Sequence, residues 1–193
     1  MNRRKVDRGP RPVLSRWPLI NEEEWCKVQK ADFIQGLDHA FRYVQGKRMV
    51  VLNSGPGFTA GLLAAKNPTA KVVASDLECR STGTRQMAEM NNLPNLEFTR
   101  KQDDHGVDIE NYFDCALLLD VVNAGPRATG LIGAAARAAR PGGRVILVTA
   151  ESAGRPFSDA LPEIEIRRRI NQAGLETIHR TSASGYGIYV AVK

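Results

Sequence analysis

The residues best placed to do chemistry lie where a short apolar run, Arg48 to Leu52, meets the turn Asn53-Ser54-Gly55-Pro56-Gly57 and passes directly into Phe58-Thr59-Ala60. Gly55 and Gly57 carry no Cβ, so the turn can be tight and a ligand can approach the backbone closely. A helix starting at Thr59 offers unpaired N–H groups and the positive end of its dipole to an anionic group. Nineteen residues after Gly57, at the end of the next strand-like run, stands Asp76. A carboxylate there can accept both hydroxyls of a ribose, as in nucleotide-binding α/β folds. A glycine pair alone also serves ordinary strand-to-helix turns, and the spaced acid is what adds weight. Gly55-x-Gly57-x-x-Ala60 fits the dinucleotide fingerprint as well, and the turn by itself leaves both ligands open.

These residues need a frame, and the chain supplies alternating elements. Asn21 followed by Glu22, Glu23 and Glu24 reads as a capped helix start with carboxylates at the positive dipole end. Phe33, Ile34, Leu37, Phe41 and Val44 then recur at helical spacing until Gly46, so Glu22 to Gln45 is expected to form one or two helices. Strands are expected at Arg48–Leu52, Lys71–Ser75, Leu96–Thr99, Phe113–Leu119 and Arg144–Thr149, with helices at Thr59–Lys66, Ser81–Asn91 and Arg127–Arg140. The continuous apolar run Phe113–Leu119 suits a parallel strand buried on both faces. Pro141-Gly142-Gly143 reads as a turn into the fifth strand. A last helix is expected from about Asp159 to Ala173, with Pro162 in its first turn and Gly174 closing it. Leu175–Thr181 and Tyr186–Val192 then form a hairpin across the joint Ser182–Gly185. The expectation is an α/β, doubly wound, mostly parallel seven-stranded sheet with a C-terminal antiparallel hairpin and an N-terminal helical lid.

Composition sets outer bounds. The 193 residues are 42% hydrophobic and 25% charged, enough to bury the core of one domain. No apolar run reaches the ~18–20 residues that span a bilayer, and no apolar stretch follows the basic N-terminus as in a secretory signal. Cys26, Cys79 and Cys115 lack metal-ligand spacing and make an odd count for disulfides, so no metal and a reduced, cytoplasmic setting are expected. The net charge is +6, but Arg3, Arg4, Lys5, Arg8, Arg11 and Arg16 against Asp7 place +5 of it in the first 16 residues. The basicity belongs to a Pro- and Arg-rich tail rather than to the body, which argues against nucleic acid as the main partner. Residues 1–19 are read as a flexible tail and 20–193 as one domain, with 20–46 the helical lid and 47–193 a Rossmann-like core.

Three further features carry a resemblance: Val51-Leu52-Asn53-Ser54-Gly55-Pro56-Gly57-Phe58-Thr59, the aromatic-acid pair Phe113-Asp114, and Arg137-Ala-Ala-Arg-Pro-Gly-Gly-Arg-Val-Ile-Leu-Val148 before the closing hairpin. Over residues 48–193 the chain resembles the class I S-adenosylmethionine-dependent methyltransferases, whose glycine motif usually reads Val-Leu-Asp-x-Gly-x-Gly-Phe/Tyr-Thr. The resemblance implies S-adenosylmethionine as cofactor, with Gly55 and Gly57 under its methionine part, Asp76 on the ribose and Leu77 on the adenine face. It also implies an acid after the third strand for the adenine amino group. Asp103 has the closer spacing and Asp104 is the alternative. Asn53 departs from the family's Asp or Glu beside the ammonium, keeping a hydrogen bond without its charge assistance.

Methyl transfer needs positioning first and a general base only for weak or protonated nucleophiles. Asp120, after the fourth strand, and His39, on the lid helix, are the candidates carried forward; His105 and Asn123 also lie near the expected site mouth, and His179 in the hairpin is set aside. The resemblance implies a methyltransferase for a small-molecule acceptor, because the body has no large insertion to form a substrate domain. A homodimer or a partner protein could complete the site. Alternatives are transfer or cyclisation of the aminocarboxypropyl arm of the cofactor, a non-catalytic binding subunit of the same fold, and an RNA methyltransferase using the basic tail. The sequence following strand four, Asp120 to Pro126, lacks an Asn-Pro-Pro-Tyr type motif and weighs against base modification.

Overall fold

The computed structural model describes residues 31–54, 57–76, 81–100, 109–119, 127–151 and 161–193, with Asp76 described by its backbone alone. The N-terminal tail and the first part of the expected lid lie outside the described residues. In chain order the elements are α1 (Ala31–Phe41), β1 (Arg48–Leu52), α2 (Phe58–Lys66), β2 (Lys71–Asp76), α3 (Ser81–Met90), β3 (Leu96–Arg100), β4 (Phe113–Leu119), α4 (Arg127–Ala138), β5 (Ala139–Ala150), α5 (Glu163–Gln172), β6 (Glu176–Ala183) and β7 (Tyr186–Val192). The strands form one sheet in the order β3-β2-β1-β4-β5-β7-β6. β1 to β5 run parallel, and β7 is antiparallel to both β5 and β6. This is the doubly wound, seven-stranded sheet with a terminal hairpin that the alternation of elements predicts.

Side chains alternate across the sheet and create two cores. Met49, Val51, Cys115, Leu117, Ile146 and Val190 face α1 and α2. Val50, Leu52, Ala116, Leu118, Leu147 and Tyr189 face α4 and α5 through Leu131, Ile132, Ile166 and Ile170. The small residues of α2 let it sink into its layer, and every residue from Phe58 to Ala64 is buried. Among the described residues no helix is long and apolar enough to cross a membrane.

Three local expectations change. The fifth strand starts at Ala139, not Arg144, because Pro141-Gly142-Gly143 is a bulge inside the strand rather than a turn before it. Phe113 pairs with Ala139 and Cys115 with Arg144, so two steps on β4 span five on β5. The bulge is held by the far end of the chain: Gly142 N donates to Lys193 O at 3.0 Å and Lys193 N to Gly143 O at 3.2 Å. The hairpin joint is two residues rather than four. Ser184 (φ 53°) and Gly185 (φ 77°) are both left-handed, the geometry whose twist matches its flanking strands, so Ala183 already pairs with Tyr186. Finally, the described helix α5 begins at Glu163, and Pro162 is its N-cap at φ −54°, ψ 145°; residues 159 and 160 lie outside the described part.

The described part of the N-terminal helical region, α1, packs along the hairpin. Phe33 meets Tyr186 edge-on at 5.6 Å, Ser184 Oγ donates to Gln35 Oε1 at 2.7 Å, and Tyr43, beyond the helix, reaches His179. Tyr186 lies beside Ala150, the last residue of β5. The amino end of α1 therefore stands at the carboxyl end of the parallel strands.

Candidate functional site

The chain runs β1-β2-β3 towards one edge and then returns to place β4 on the other side of β1. In open α/β sheets this reversal leaves a crevice beyond the carboxyl ends of the strands, where ligands bind. The register Leu52↔Ser75 brings the ends of β1 and β2 to one level, so Asn53 and Asp76 leave the sheet side by side. Ser54 N donates to Ser75 O at 3.1 Å, extending the pairing one step, and Gly57 N donates to Ser54 O at 3.1 Å to close the turn.

Two described residues of the turn are left-handed. Asn53 (φ 55°) is exposed and Gly57 (φ 86°) is buried; asparagine and glycine tolerate this conformation best. Gly57 is the N-cap of α2, where it makes no side-chain capping bond, and the first turn holds no acidic residue. The positive end of α2 therefore reaches the crevice without a carboxylate of its own. Two buried hydroxyls belong to residues at these strand ends. Ser54 is 6% exposed and Ser75 1%, and neither Oγ has a hydrogen-bond partner among the described residues. A buried polar group without a partner costs about 1–3 kcal/mol; Ser75 stands in register with Leu52, so its side chain faces the α4 and α5 layer rather than α2.

Of the residues singled out in the sequence, Asn53, Gly57 and the backbone of Asp76 gather at this crevice. Gly55, Leu77, Asp103, Asp104 and Asp120 lie outside the described residues, as do His105 and Asn123. His39 is the ninth residue of α1, about 12 Å along the axis from the amino end, with its ring 5.9 Å from that of Tyr43. Tyr43 in turn stacks on His179 at 4.8 Å and shares a 2.8 Å hydrogen bond with its Nε2. Ser54 and Ser75 were legible only as a turn residue and a strand end; a serine closing the run Val72-Val73-Ala74 was the available signal. Among the described residues no three of His, Cys, Asp and Glu come together as metal ligands would.

Asp114, half of the Phe113-Asp114 pair, is at the opposite end of the sheet. Its Oδ2 accepts from Lys47 N at 2.8 Å and Arg48 N at 2.9 Å, and its Oδ1 from Arg140 Nε at 2.7 Å and Arg48 Nη2 at 3.3 Å. Burial pushes its pKa up, but the bonds from Lys47, Arg140 and Arg48 outweigh burial and hold it well below the ordinary carboxylate range. Asp114 thus ties the entry of β1 to the bulge of β5, which fixes the strands whose far ends build the crevice.

A second ionic group stands where β5 meets the hairpin. Arg180 Nη2 donates to Glu151 Oε1 at 2.5 Å, and Ser182 Oγ donates to the other oxygen of Glu151. Arg180 Nε also lies 3.2 Å from Glu163 Oε2. One guanidinium therefore joins the residue that follows β5 to the first residue of α5.

No protein-family model and no curated sequence matches the chain. Solved structures do. A S-adenosylmethionine-dependent methyltransferase from Aquifex aeolicus superposes with a TM-score of 0.73 at 14% identity, covering 91% of this chain and 100% of that one. A chain from the Haloferax volcanii complex of the Trm112 methyltransferase activator with a methyltransferase gives 0.69 at 14% identity, covering 88% and 94%. The cyclase SpnF gives 0.69 at 15% identity, covering 86% and 81%. The chain has the fold of the class I S-adenosylmethionine-dependent methyltransferases.

Proposed function

We propose that the protein is a S-adenosylmethionine-dependent methyltransferase acting on a small-molecule acceptor in the cytoplasm. The observation that carries this reading is the crevice at the β1/β4 reversal, where the glycine-bearing turn after β1 and the uncapped amino end of α2 stand beside the end of β2. These groups fit a ligand with an amino-acid arm and a ribose. Gly55 and Gly57 would lie beneath the methionine arm, the Asn53 amide would accept from its ammonium, and Asp76 would take the ribose hydroxyls. Leu77 would cover the adenine face, and Asp103, with Asp104 as alternative, would accept from the adenine amino group. Bound there, the cofactor supplies a methyl group on a sulfonium, which needs an acceptor atom held in line behind it.

The chain's own part is to orient the acceptor and, for a protonated nucleophile, to take its proton. Asp120 directly follows the carboxyl end of β4 and is the residue assigned that proton. His39 is the second candidate, and its neighbour Tyr43 favours a packing role. An acceptor of modest size agrees with a core over 47–193 that carries no large insertion, and the activator complex among the structural neighbours is consistent with a partner protein that completes the site.

Asn53 favours one second reading. Without the usual charge beside the ammonium, the aminocarboxypropyl arm is held by one weaker bond and could itself be the group transferred. The nucleoside product distinguishes the two. The protein is incubated with S-adenosylmethionine and candidate acceptors; S-adenosylhomocysteine is the expected product, and methylthioadenosine formed faster than spontaneous decay would replace methyl transfer with arm transfer. Absence of cofactor binding would leave a non-catalytic subunit.

A further inference from the structure

We propose that the end of the sheet opposite the crevice is a docking face for an anionic lipid surface. Cations gather there, at the amino ends of the parallel strands. Arg48 opens β1 beside Lys71, which opens β2. Lys47 precedes Arg48, and Arg140 and Arg144 flank the bulge of β5. Arg42 and Arg137 join them from just beyond α1 and from the last turn of α4. Among the described residues the acids at the same level are Asp114, shared by Arg48 and Arg140, Glu97, paired with Lys71, and the exposed Glu110. Glu89 and Glu176 stand towards the two edges of the sheet, and Lys66 is balanced by Asp38. Residues 17–193 carry a net charge of only +1, so the positive excess of this end is offset elsewhere in the body: the charge is segregated rather than absent.

The three interstrand steps from β2 to β5 span about 14 Å, close to the Debye length of about 10 Å at moderate salt, so a partner feels these charges as one patch. Their hydrogen bonding favours a lipid surface over a nucleic acid. Arg48 Nη2 and Arg140 Nε already donate to Asp114, and Arg144 Nη1 donates to Tyr43 O at 2.8 Å. Arg48 also covers the ring of Tyr112 at 4.6 Å, and Tyr43 stacks on His179. Nucleic-acid recognition draws on guanidinium forks and stacking rings, and here both kinds of group are engaged within the protein. An anionic bilayer asks only for pooled charge and a shallow apolar contact. Ile109 supplies the second: it is 44% exposed and stands two residues before Asn111, whose N–H donates to Arg137 O at 2.8 Å. Docked by this end, the protein holds the crevice, at the far end of the same strands, towards water. The face does not depend on methyl transfer being the reaction.

The test sediments the full chain with phosphatidylcholine vesicles, pure or holding about one-third phosphatidylserine, at about 0.1 M salt. Binding should require phosphatidylserine and fall steeply as salt is raised to about 0.5 M. Arg42→Gln, Lys47→Gln and Lys71→Gln together should weaken it by about tenfold or more, while an unchanged melting temperature confirms folding. If Lys71→Gln disturbs the fold, the pair Arg42→Gln and Lys47→Gln decides alone. Ile109→Ser should weaken binding severalfold. The basic N-terminal residues provide the contrast: Arg3→Gln, Arg4→Gln and Lys5→Gln together should leave most of the binding in place. The proposal is overturned if the chain does not sediment with the anionic vesicles, or if the face variant binds them as well as the parent, which would assign the lipid to the N-terminal residues. It is also overturned if polyuridylate at matched phosphate concentration strips the parent from the vesicles through the same face residues, which would make nucleic acid the occupant.

Discussion

A Cβ built on Gly46 would fall 2.1 Å from the Cβ of Asp114, so the two residues specify one another: while the acid stands at 114, no side chain fits at 46. Gly46 is also left-handed, at φ +90°, which adds backbone strain to the clash. This contact lies where the loop after α1 enters β1, and it lets Lys47 and Arg48 present their N–H groups to the carboxylate. Gly46→Ala should cost about 2–4 kcal/mol, in the range of large single-site losses, read as a lower urea midpoint at unchanged slope. A loss below ~1 kcal/mol would show that the loop relaxes without loosening Asp114.

The same carboxylate sets a pH dependence. Its folded-state pKa lies below the ordinary 3.8, so its contribution is complete above that value and is lost as pH falls through the folded pKa. Asp114→Asn should lower stability near neutral pH by about 1.5–3 kcal/mol, the worth of hydrogen bonds to a charged group. The difference from the parent should shrink as the pH is lowered below about 4. Denaturant curves at several pH values check this, and a difference that stays constant into acid would assign the loss to packing.

Cys115 is wholly enclosed in the core between β1 and β5, and burial pushes its thiol up to about 12. Thiolate is the reactive form, so alkylation of Cys115 in the native protein should occur only through opening of the sheet. Peptide mapping after iodoacetamide should show Cys115 unmodified until denaturant is added. Native labelling of Cys115 at the rate of a free thiol would mean that β4 opens locally.

For the proposed cofactor, Asp76→Ala should weaken S-adenosylmethionine binding by about 1.5–3 kcal/mol, with folding unchanged. Calorimetry showing equal affinity would remove Asp76 from the site.

The sheet was legible because its strands are short, apolar and punctuated. Phe113–Leu119 is buried at every position, and a run of that kind has few other homes. The start of β5 was not legible, because Pro141-Gly142-Gly143 has the residues of a turn and becomes a bulge only through partners far along the chain. Lys193 pairs with the bulge through its backbone, and its Nζ donates to Ala139 O at 3.1 Å. The length of the hairpin joint was not legible, because Ser184 takes a left-handed conformation that serine seldom adopts.

At the crevice, the glycine turn and Asp76 were visible as spacing. That the hydroxyls of Ser54 and Ser75 have no partner among the described residues was not, since a strand-end hydroxyl ordinarily finds a nearby carbonyl.

The position of β7 between β5 and β6 bears on how the protein takes shape as it leaves the ribosome. Glu176–Ala183 is translated before Tyr186–Val192, yet among the described strands it pairs with nothing else. Until the later strand arrives, β6 has no ladder to join and β5 presents a bare, apolar edge, the kind of surface through which nascent chains associate wrongly. The seven residues of β7 must then insert antiparallel to one neighbour while recruiting the other. The dangerous interval in biosynthesis is therefore not the gathering of the first four strands but the passage from residue 183 to residue 192, when one short segment seals two edges together.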